Sequence, residues 1–352
     1  MAEFLNRNFP SKIPFSEKDK YIWEIISLSK DKERVIYHGS PKEMDKCDTH
    51  IKQLKINFQN CNQMTVIIRE IYFLVLFSKI DYIVKLDDIL FDDEEKTQYI
   101  YLIFKGNTIS LDKLLAYSLY EEKYFSNKDL IRWIIFQIAC GIYILHNNGV
   151  IHNNINPRNI LINEIGEIFL SDFGAAIYKD EDCYSYSKYY SPPELILDKN
   201  INRTQKSDIW SFGLTVVNIF FSNKIFSGLN EGEYLKSIYS RFDFKDNLTH
   251  EEMISINHDK SKSSQKIKLT EEEIYRINNN DVLDIIYNTL LLNPEKRYNI
   301  EDILNSKYFD IYNKFKPLKT DFPKINVNYK LIYEYIGQEE FVDILKKLKQ
   351  NN

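Results

Sequence analysis

Glycine is scarce in this sequence, above all in its first third. The chain contains 10 glycines in 352 residues, whereas glycine usually makes up about 7% of a protein. Only Gly39 lies within the first 105 residues. Because loops whose backbone closely approaches a ligand depend on glycine, a function that needs several glycines in this part of the chain is excluded.

Cysteines and long hydrophobic runs are also few. The four cysteines, at positions 47, 61, 140 and 183, form neither a CxxC pair nor a metal-ligand spacing, so we interpret them as reduced intracellular thiols. The longest apolar runs, WSFGLTVVNIFF and LIRWIIFQIACGIYIL, fall short of the about 18 to 20 apolar residues of a membrane span. The N-terminus lacks the pattern of a signal peptide. We therefore expect an intracellular protein without a membrane span, and leave a cytoplasmic or nuclear location open.

Charge and composition are those of an ordinary globular protein. Hydrophobic residues make up 44% and charged residues 28% of the chain, and the formal net charge is -5. This balance gives no reason to expect a nucleic-acid partner. The length is sufficient for two lobes or domains.

The first part of the chain has the pattern of a small sheet with one helix. After an N-terminal extension, residues 1–20, short apolar stretches separated by polar connectors occupy residues 21–58 and predict an antiparallel meander. MTVIIREIYFLVLFSKI has the spacing of a helix, and two further strands are predicted in IVKLDDILF and YIYLIF. We assign residues 21–106 to a sheet lobe.

Longer helical patterns begin at residue 107 and predict a larger, mainly helical lobe over 107–310. A long helix is predicted in NKDLIRWIIFQIACGIYILHNNG, with Gly149 as its left-handed cap. Short strands are predicted in NILI and EIFLS, and helices near 206–222, 279–292 and 299–306. The expected fold class is α+β with two lobes.

Two segments do not follow this pattern. Residues 243–270 are polar, and we interpret them as a loop-like insertion between helices. The C-terminal tail, residues 311–352, contains the amphipathic stretch EEFVDILKKLKQ. That stretch is expected either to pack back on the domain or to contact a partner.

Five short motifs follow one another at characteristic spacing. They are HNNINPRN at 152–159, DFG at 172–174, SPPE at 191–194, DIWSFG at 208–213 and NPEKR at 293–297. In this order they resemble the motifs of a eukaryotic protein kinase domain, and the resemblance covers roughly residues 20–310. It implies a bilobal fold with a nucleotide cleft between a sheet lobe and a helical lobe.

The resemblance implies a magnesium and nucleotide site. Asp172 stands where kinases bind magnesium, and Asn159 where a second ion takes an oxygen ligand. Glu70 lies on an apolar helical face, and a carboxylate there needs a cation. Lys52 matches the lysine that forms this pair and holds the phosphates, but Lys55 is an alternative that the sequence leaves open.

The segment IFKGN at 103–107 matches the linker between the lobes. The resemblance places Phe104 at the back of the cleft and Lys105 beside it, so we count both among the nucleotide-binding candidates. His50 stands where kinases carry a small residue that packs on adenine.

Four further positions match residues that support the kinase fold. Asp208 resembles the residue that accepts hydrogen bonds from the catalytic-loop backbone, and His152 keeps the turn of that loop. Glu194 and Arg297 resemble the buried ion pair that braces the activation segment. Removing one partner of such a pair costs about 3 to 5 kcal/mol.

The residues at the glycine-loop positions depart from the family pattern. Aligning RVIYHG with the strand after that loop puts Ser29, Asp31 and Arg34 at the three glycine positions. Side chains there obstruct the approach of backbone N–H groups to phosphate, and Asp31 adds repulsion. We therefore expect ATP and magnesium to bind weakly or not at all.

The catalytic loop carries amides where kinases carry charges. Asn154 replaces the general base, whose contribution is typically about 10² to 10⁴ in rate. Asn156 replaces the lysine that stabilises the transferred phosphoryl group, and such electrostatic losses are about 10² to 10³. Asn153 replaces the arginine that grips a phosphorylated activation segment. Neither Asn154 nor Asn156 is expected to perform the chemistry of its position.

These losses favour a pseudokinase, a scaffold or allosteric regulator of a protein partner that is itself either an active kinase or another signalling protein. An alternative is a low-activity serine/threonine kinase or another ATP-dependent transferase that uses Lys52, Glu70, Asn159 and Asp172. A third hypothesis is a binding module whose surface lies in the 243–270 insertion or the C-terminal helix.

Overall fold

The computed structural model describes most of the chain between residues 21 and 315. The described residues are 21–28, 34–41, 49–55, 60–91, 99–106, 108–121, 127–179, 181, 188–221, 225–245, 248–259 and 261–315. The N-terminal extension, the glycine-loop positions Ser29 and Asp31 and the amphipathic stretch of the tail lie outside them. The expectations for those segments stay predictions.

The sheet lobe is built on five antiparallel strands. They are β1 Tyr21–Leu28, β2 Arg34–Pro41, β3 Thr49–Lys55, β4 Leu86–Phe91 and β5 Tyr99–Lys105, in the spatial order β1-β2-β3-β5-β4. Lys52 lies opposite Leu102 and His50 opposite Phe104 in the β3–β5 register. Because strand side chains alternate, His50 and Lys52 share one face of β3. The predicted meander is confirmed.

One helix, α1 Cys61–Leu76, packs against this sheet. It begins early because the side chain of Asn60 accepts a hydrogen bond from the backbone N–H of Gln63 at 3.1 Å, and asparagine is a favoured N-cap. Ile67, Ile71 and Leu74 recur at helical spacing and are buried. The predicted helix is confirmed, with its start three residues earlier than the apolar pattern indicated.

The second lobe is mainly helical. Its helices are α2 Leu111–Glu121, α3 Lys128–Asn147, α4 Pro193–Leu197, α5 Gln205–Phe221, α6 Glu231–Tyr239, α7 His250–His258, α8 Glu271–Ile277, α9 Asn280–Thr289 and α10 Ile300–Leu304. Its short strands are β6 Thr108–Ser110, β7 Val150–Ile151, β8 Ile160–Asn163, β9 Ile168–Leu170 and β10 Ile177–Tyr178, paired as β6-β8-β9 and β10-β7. The bilobal α+β fold expected from the sequence is confirmed.

Helix α3 lies in the core of this lobe. Among the described residues it is the helix whose length and composition would suffice to cross a membrane, but 72% of its most apolar window is buried inside the fold. Gly149, just beyond its end, has φ 71°, so the predicted left-handed cap is present. Burial of this kind is typical of the core helix of a globular fold.

Helices α5 and α9 approach each other closely at Gly213. A Cβ at this position would lie 2.4 Å from Oγ1 of Thr289 and 2.9 Å from Cδ2 of Leu290. Overpacking costs about 1 to 3 kcal/mol, more than the about 0.5 to 1 kcal/mol that alanine gains over glycine inside a helix. We therefore expect Gly213→Ala to lower the free energy of unfolding, measured by urea titration.

Gly232→Ala in α6 is the matched control for this prediction. A Cβ at Gly232 meets only Oδ1 of Asn230, at 3.4 Å, so this change is expected to leave stability unchanged or to raise it by up to about 1 kcal/mol. Equal stability losses for the two variants would contradict the close approach of α5 and α9.

The segment 243–270 is not the loop that the sequence analysis predicted. It contains α7, which begins with a capping box between Thr249 and Glu252, and Met253 and Ile256 on this helix are buried. Ser263 is fully buried, and its carbonyl accepts the N–H of Asn293 at 2.7 Å. The polar residues that suggested a loop lie mostly on the solvent side of a packed segment.

The helical lobe also continues past residue 310. A 3-10 helix, Lys307–Phe315, places the ring of Tyr312 5.1 Å from that of Trp133 and 4.9 Å from that of Phe136. Tyr312, which was assigned to the tail, is therefore packed on α3. The boundary of the tail lies later than the predicted residue 311.

Candidate active site

The cleft between the lobes contains a lysine bonded to two carboxylates. Lys52 Nζ lies 2.5 Å from Oε1 of Glu70 on α1 and 2.9 Å from Oδ1 of Asp172. The side chain of Glu70 is only 3% exposed, and an unpaired charge there would be costly. Lys55 is exposed. Of the two lysines that the sequence left open, Lys52 is the partner of Glu70.

Asp172 is held in position by its backbone and by its neighbours. Its φ of 66° is left-handed, and the next residue but one, Gly174, lies so close to α1 that a Cβ there would be 2.6 Å from Cγ1 of Val66. Oδ2 of Asp172 accepts a hydrogen bond from Nδ2 of Asn154 at 2.8 Å. Each carboxylate oxygen of Asp172 therefore already accepts a hydrogen bond, one from Lys52 and one from Asn154.

The remaining amides of the loop continue this network. Nδ2 of Asn156 donates to the backbone oxygen of Asn154 at 2.9 Å and to its Oδ1 at 3.0 Å. Nδ2 of Asn159 donates to the same backbone oxygen at 2.8 Å. Oδ1 of Asn156 accepts from the N–H of Arg158 at 3.0 Å and so caps the short 3-10 helix Pro157–Asn159. The side chains of Asn156 and Asn159 are thus both hydrogen-bonded to Asn154.

Asn153 stabilises the catalytic loop through hydrogen bonds. Its φ is 60°, a left-handed conformation in which asparagine is enriched among non-glycine residues. Its N–H donates to Oδ1 of Asp208 at 2.8 Å, and its Nδ2 donates to the carbonyl of Ala175 at 3.1 Å. The amide therefore ties the loop to the residues that follow the DFG sequence without any positive charge.

Asp208 and His152 hold the catalytic loop in position through buried contacts. Asp208 is fully buried, and its Oδ2 accepts the N–H of His152 at 2.8 Å and lies 3.0 Å from Nε2 of His146. The ring of His152 lies 4.8 Å from that of Phe173. Burial lowers the pKa of His152, although the carboxylates of Asp208 and Asp172 act in the opposite direction. The contacts that the kinase resemblance implies for Asp208 are present.

Phe173 lies beneath helix α1. It is fully buried, with its ring 6.4 Å from that of Phe73 and 6.2 Å from that of Phe77. The hydroxyls of Tyr72 on α1 and Tyr178 on β10 are 3.3 Å apart. Helix α1 is therefore joined to the helical lobe by aromatic packing as well as by the Glu70–Lys52–Asp172 contacts.

Glu194 and Arg297 form a bidentate ion pair, as their motifs implied. Nη1 and Nη2 of Arg297 lie 2.7 Å from Oε1 and Oε2 of Glu194. The side chain of Arg297 is 0% exposed and that of Glu194 7%. Nε of Arg297 donates to the carbonyl of Leu291 at 2.7 Å, and its guanidinium lies 4.8 Å from the ring centre of Trp210. This pair supports the fold and lies outside the cleft.

The linker end of the cleft differs in detail from the expectation. Phe104 is half-buried against the core, as a residue at the back of the cleft would be. The side chain of Lys105 is 67% exposed and pairs with Oδ1 of Asp87 at 2.8 Å, so this contact belongs to the β4 side of the sheet. Nδ1 of His50 lies 3.0 Å from the carbonyl oxygen of Gly106. No local pattern indicates this contact, because the two residues are 56 positions apart in the chain.

The side chains at the magnesium position of a kinase are hydrogen-bonded to neighbouring residues in this arrangement. Asp172 and Asn159 would hold the metal, but both oxygens of Asp172 accept hydrogen bonds from Lys52 and Asn154. Across the described ranges no group of three or more His, Cys, Asp and Glu side chains has the arrangement of a metal site.

Comparison with known families agrees with this architecture. The model of the family described as "Protein kinase domain" matches residues 39–309, well over half of the chain. The chain therefore belongs to the protein kinase domain family.

Individual relatives are similar at low identity. Cyclin-dependent kinase 12 of Caenorhabditis elegans is 30% identical over 231 residues, which are 62% of this chain and 31% of that protein. GLH-binding kinase 1 of the same organism is 27% identical over 236 residues, 61% of this chain and 58% of that protein. Mitogen-activated protein kinase 15 of Xenopus laevis is 27% identical over 275 residues, 73% of this chain and 45% of that protein. The chain thus matches less than two thirds of each relative's length.

Proposed function

We propose that this protein is a pseudokinase, a kinase-fold scaffold or allosteric regulator of another protein that binds nucleotide weakly or not at all. The observation that carries the proposal is the engagement of Asp172. Lys52 donates to one of its carboxylate oxygens and Asn154 to the other. The position that a kinase uses for magnesium is here part of an internal hydrogen-bond network.

The chemistry of the loop supports the same proposal. A general base must accept a proton from the substrate hydroxyl, and the amide of Asn154 has no basic atom for this step. Its Nδ2 is instead directed at Asp172. Asn156 has no positive charge with which to stabilise a transferred phosphoryl group, and its amide is directed at Asn154.

The residues that support the kinase fold make their expected contacts in this chain. Asp208 accepts hydrogen bonds from two successive N–H groups of the loop, and the Glu194–Arg297 pair is buried and bidentate. These contacts stabilise the helical lobe without contributing to phosphate transfer. A protein partner is the ligand that such a scaffold serves; candidates are an active kinase or another signalling protein.

Phosphate transfer by the purified chain tests this proposal. Because the three relatives compared above are named as kinases, the assay uses ATP with magnesium and a general protein substrate. Active kinases turn over at about 1 to 100 per second, and loss of the base alone removes about 10² to 10⁴ of rate. We expect the wild-type rate to equal that of an Asp172→Ala variant, which reports any contaminating kinase.

Transfer by the wild-type protein that disappears in Asp172→Ala would contradict the pseudokinase proposal. The assay should include an established kinase, to show that the substrate and conditions support transfer.

A low-activity kinase or another ATP-dependent transferase is the second candidate, and one observation favours it. Lys52 is bonded to Glu70, and Phe173 is packed beneath α1. These contacts hold Asp172, the residue at the metal position, at the cleft. A melting experiment with millimolar magnesium and ATP separates the candidates, because a ligand at one hundred times its Kd stabilises by about 2.7 kcal/mol. A shift that Asp172→Ala removes would support the second candidate.

A further inference from the structure

His50 connects the sheet lobe to the linker at one end of the cleft. It lies two residues before Lys52 on β3 and therefore on the same face of the strand. Its Nδ1 is 3.0 Å from the carbonyl oxygen of Gly106 and 3.5 Å from Oγ1 of Thr108. Gly106 has φ 106°, a conformation that favours glycine, and it directly follows β5. The imidazole ring thus bridges β3 to the start of the second lobe.

The cleft has a different set of contacts at each of its two ends. At one end Lys52 is bonded to Glu70 and Asp172, and at the other His50 is bonded to the linker. A residue with only a methyl group at position 50 would leave the linker carbonyl open and the face of β3 flat. The ring of histidine instead extends from that face to the linker, and it is half-buried there.

We propose that His50 closes the end of the cleft in which a purine base would lie. The ring occupies the space between β3 and the linker, and its hydrogen bond to the Gly106 carbonyl holds it in place. A base can enter only after the ring has rotated away and this bond has broken. The inference rests on the proposed weak nucleotide binding and assigns its cause at the base end to one side chain.

The closure is independent of the amide network around Asp172. No atom of the His50–Gly106–Thr108 group belongs to the Lys52–Glu70–Asp172 group, and the three contacting residues lie on β3, the linker and β6. A ligand without phosphates therefore reports on the His50 end of the cleft and not on the Lys52–Glu70–Asp172 group. Adenosine is such a ligand, since it needs neither a metal nor Lys52.

Binding of adenosine to the full chain, measured by isothermal titration calorimetry, tests the inference. We expect His50→Ala to bind adenosine at least tenfold more tightly than the wild-type protein, because the ring is removed and the linker carbonyl becomes available. His50→Ser is a second small substitution, used with the first so that the test does not depend on the folding of one variant. His258→Ala, at the exposed end of α7, is the matched control and should bind like the wild-type protein.

Equal adenosine affinity in the wild-type protein and in both folded position-50 variants would overturn the inference. A gain in His258→Ala as large as that in His50→Ala would do so as well. These outcomes are distinguishable from failure of the proposed function, which is decided by phosphate transfer from ATP. A His50→Ala variant that binds adenosine and still transfers no phosphate agrees with both proposals.

Discussion

Replacing Arg297 by alanine is expected to lower the free energy of unfolding by about 3 to 5 kcal/mol, because it leaves the buried carboxylate of Glu194 without its cation. The arginine is 2% exposed, and both ends of its guanidinium lie 2.7 Å from Glu194. Its Nη1 also donates to the carbonyl of Lys206 at 3.1 Å. Urea titration followed by tryptophan fluorescence measures the loss.

An exposed ion pair supplies the control for this prediction. Nη2 of Arg276 lies 2.6 Å from Oε1 of Glu272, with side chains 53% and 72% exposed. Pairs of this kind on a helix contribute about 0.3 to 0.5 kcal/mol, so Arg276→Ala is expected to have a small effect. A loss for Arg297→Ala below about 1 kcal/mol would show that the buried pair does not support the fold as described.

Replacing Asn154 by Asp restores the carboxylate of the general base, and we expect it to destabilise the protein without activating it. Nδ2 of Asn154 lies 2.8 Å from Oδ2 of Asp172. The substitution removes this donor, and an acceptor left without its partner costs about 1 to 3 kcal/mol. It also introduces a second negative charge beside Asp172. Phosphate transfer should remain at the level of Asp172→Ala, because Asn156 still lacks a charge.

Asn154→Ala separates the two effects, because it removes the donor without adding a charge. Two neighbouring carboxylates raise the pKa of the pair in the folded state. A raised pKa means that the folded state binds more protons than the unfolded state, so stability decreases as pH rises through this range. We therefore expect the Asp variant to be less stable than the Ala variant at pH 7 and to approach it at pH 4.

Magnesium should reduce the difference in stability between Asn154→Asp and Asn154→Ala, because its positive charge weakens the repulsion between the two carboxylates. Equal stability of the wild-type protein and Asn154→Asp at pH 7, or measurable phosphate transfer by the variant, would contradict the role assigned to the Asn154–Asp172 hydrogen bond.

The sequence predicted the elements that position the site because their patterns are local. Short apolar stretches between polar connectors indicated the strands of the sheet lobe, and helical spacing indicated α1 and α3. Because the neighbours of Glu70 on its helix are apolar, its carboxylate was expected to pair with a cation, and in the structure that cation is Lys52. The motif order placed Asp208 beneath the catalytic loop and Glu194 beside Arg297, where the structure contains the corresponding contacts.

The sequence did not predict the helix within 243–270. Polar composition favoured a loop, but Met253 and Ile256 are three residues apart on α7 and pack inward. Two apolar residues give too weak a periodic signal in a polar segment. The capping box of Thr249 and Glu252 was the local signal that could have indicated a helix start.

Contacts between distant residues were also beyond the sequence. The replacement of charged residues in the loop could be read directly, but the acceptor of each amide depends on the backbone path of the loop. The left-handed φ of Asn153 directs its Nδ2 to Ala175. The bond from His50 to Gly106 depends on the β3–β5 register and on the turn of the linker.

The amides of the catalytic loop constrain the order in which charge could return to it. A carboxylate introduced at Asn154 alone faces Asp172 with no added cation nearby, because the neighbouring position carries the neutral Asn156, bonded to Asn154 at 3.0 Å. Asn156→Lys would supply that cation, at the loss of the cap on Pro157–Asn159. The two positions are therefore epistatic: an evolutionary or engineered route back to catalysis is favoured when both change together or when the cation comes first.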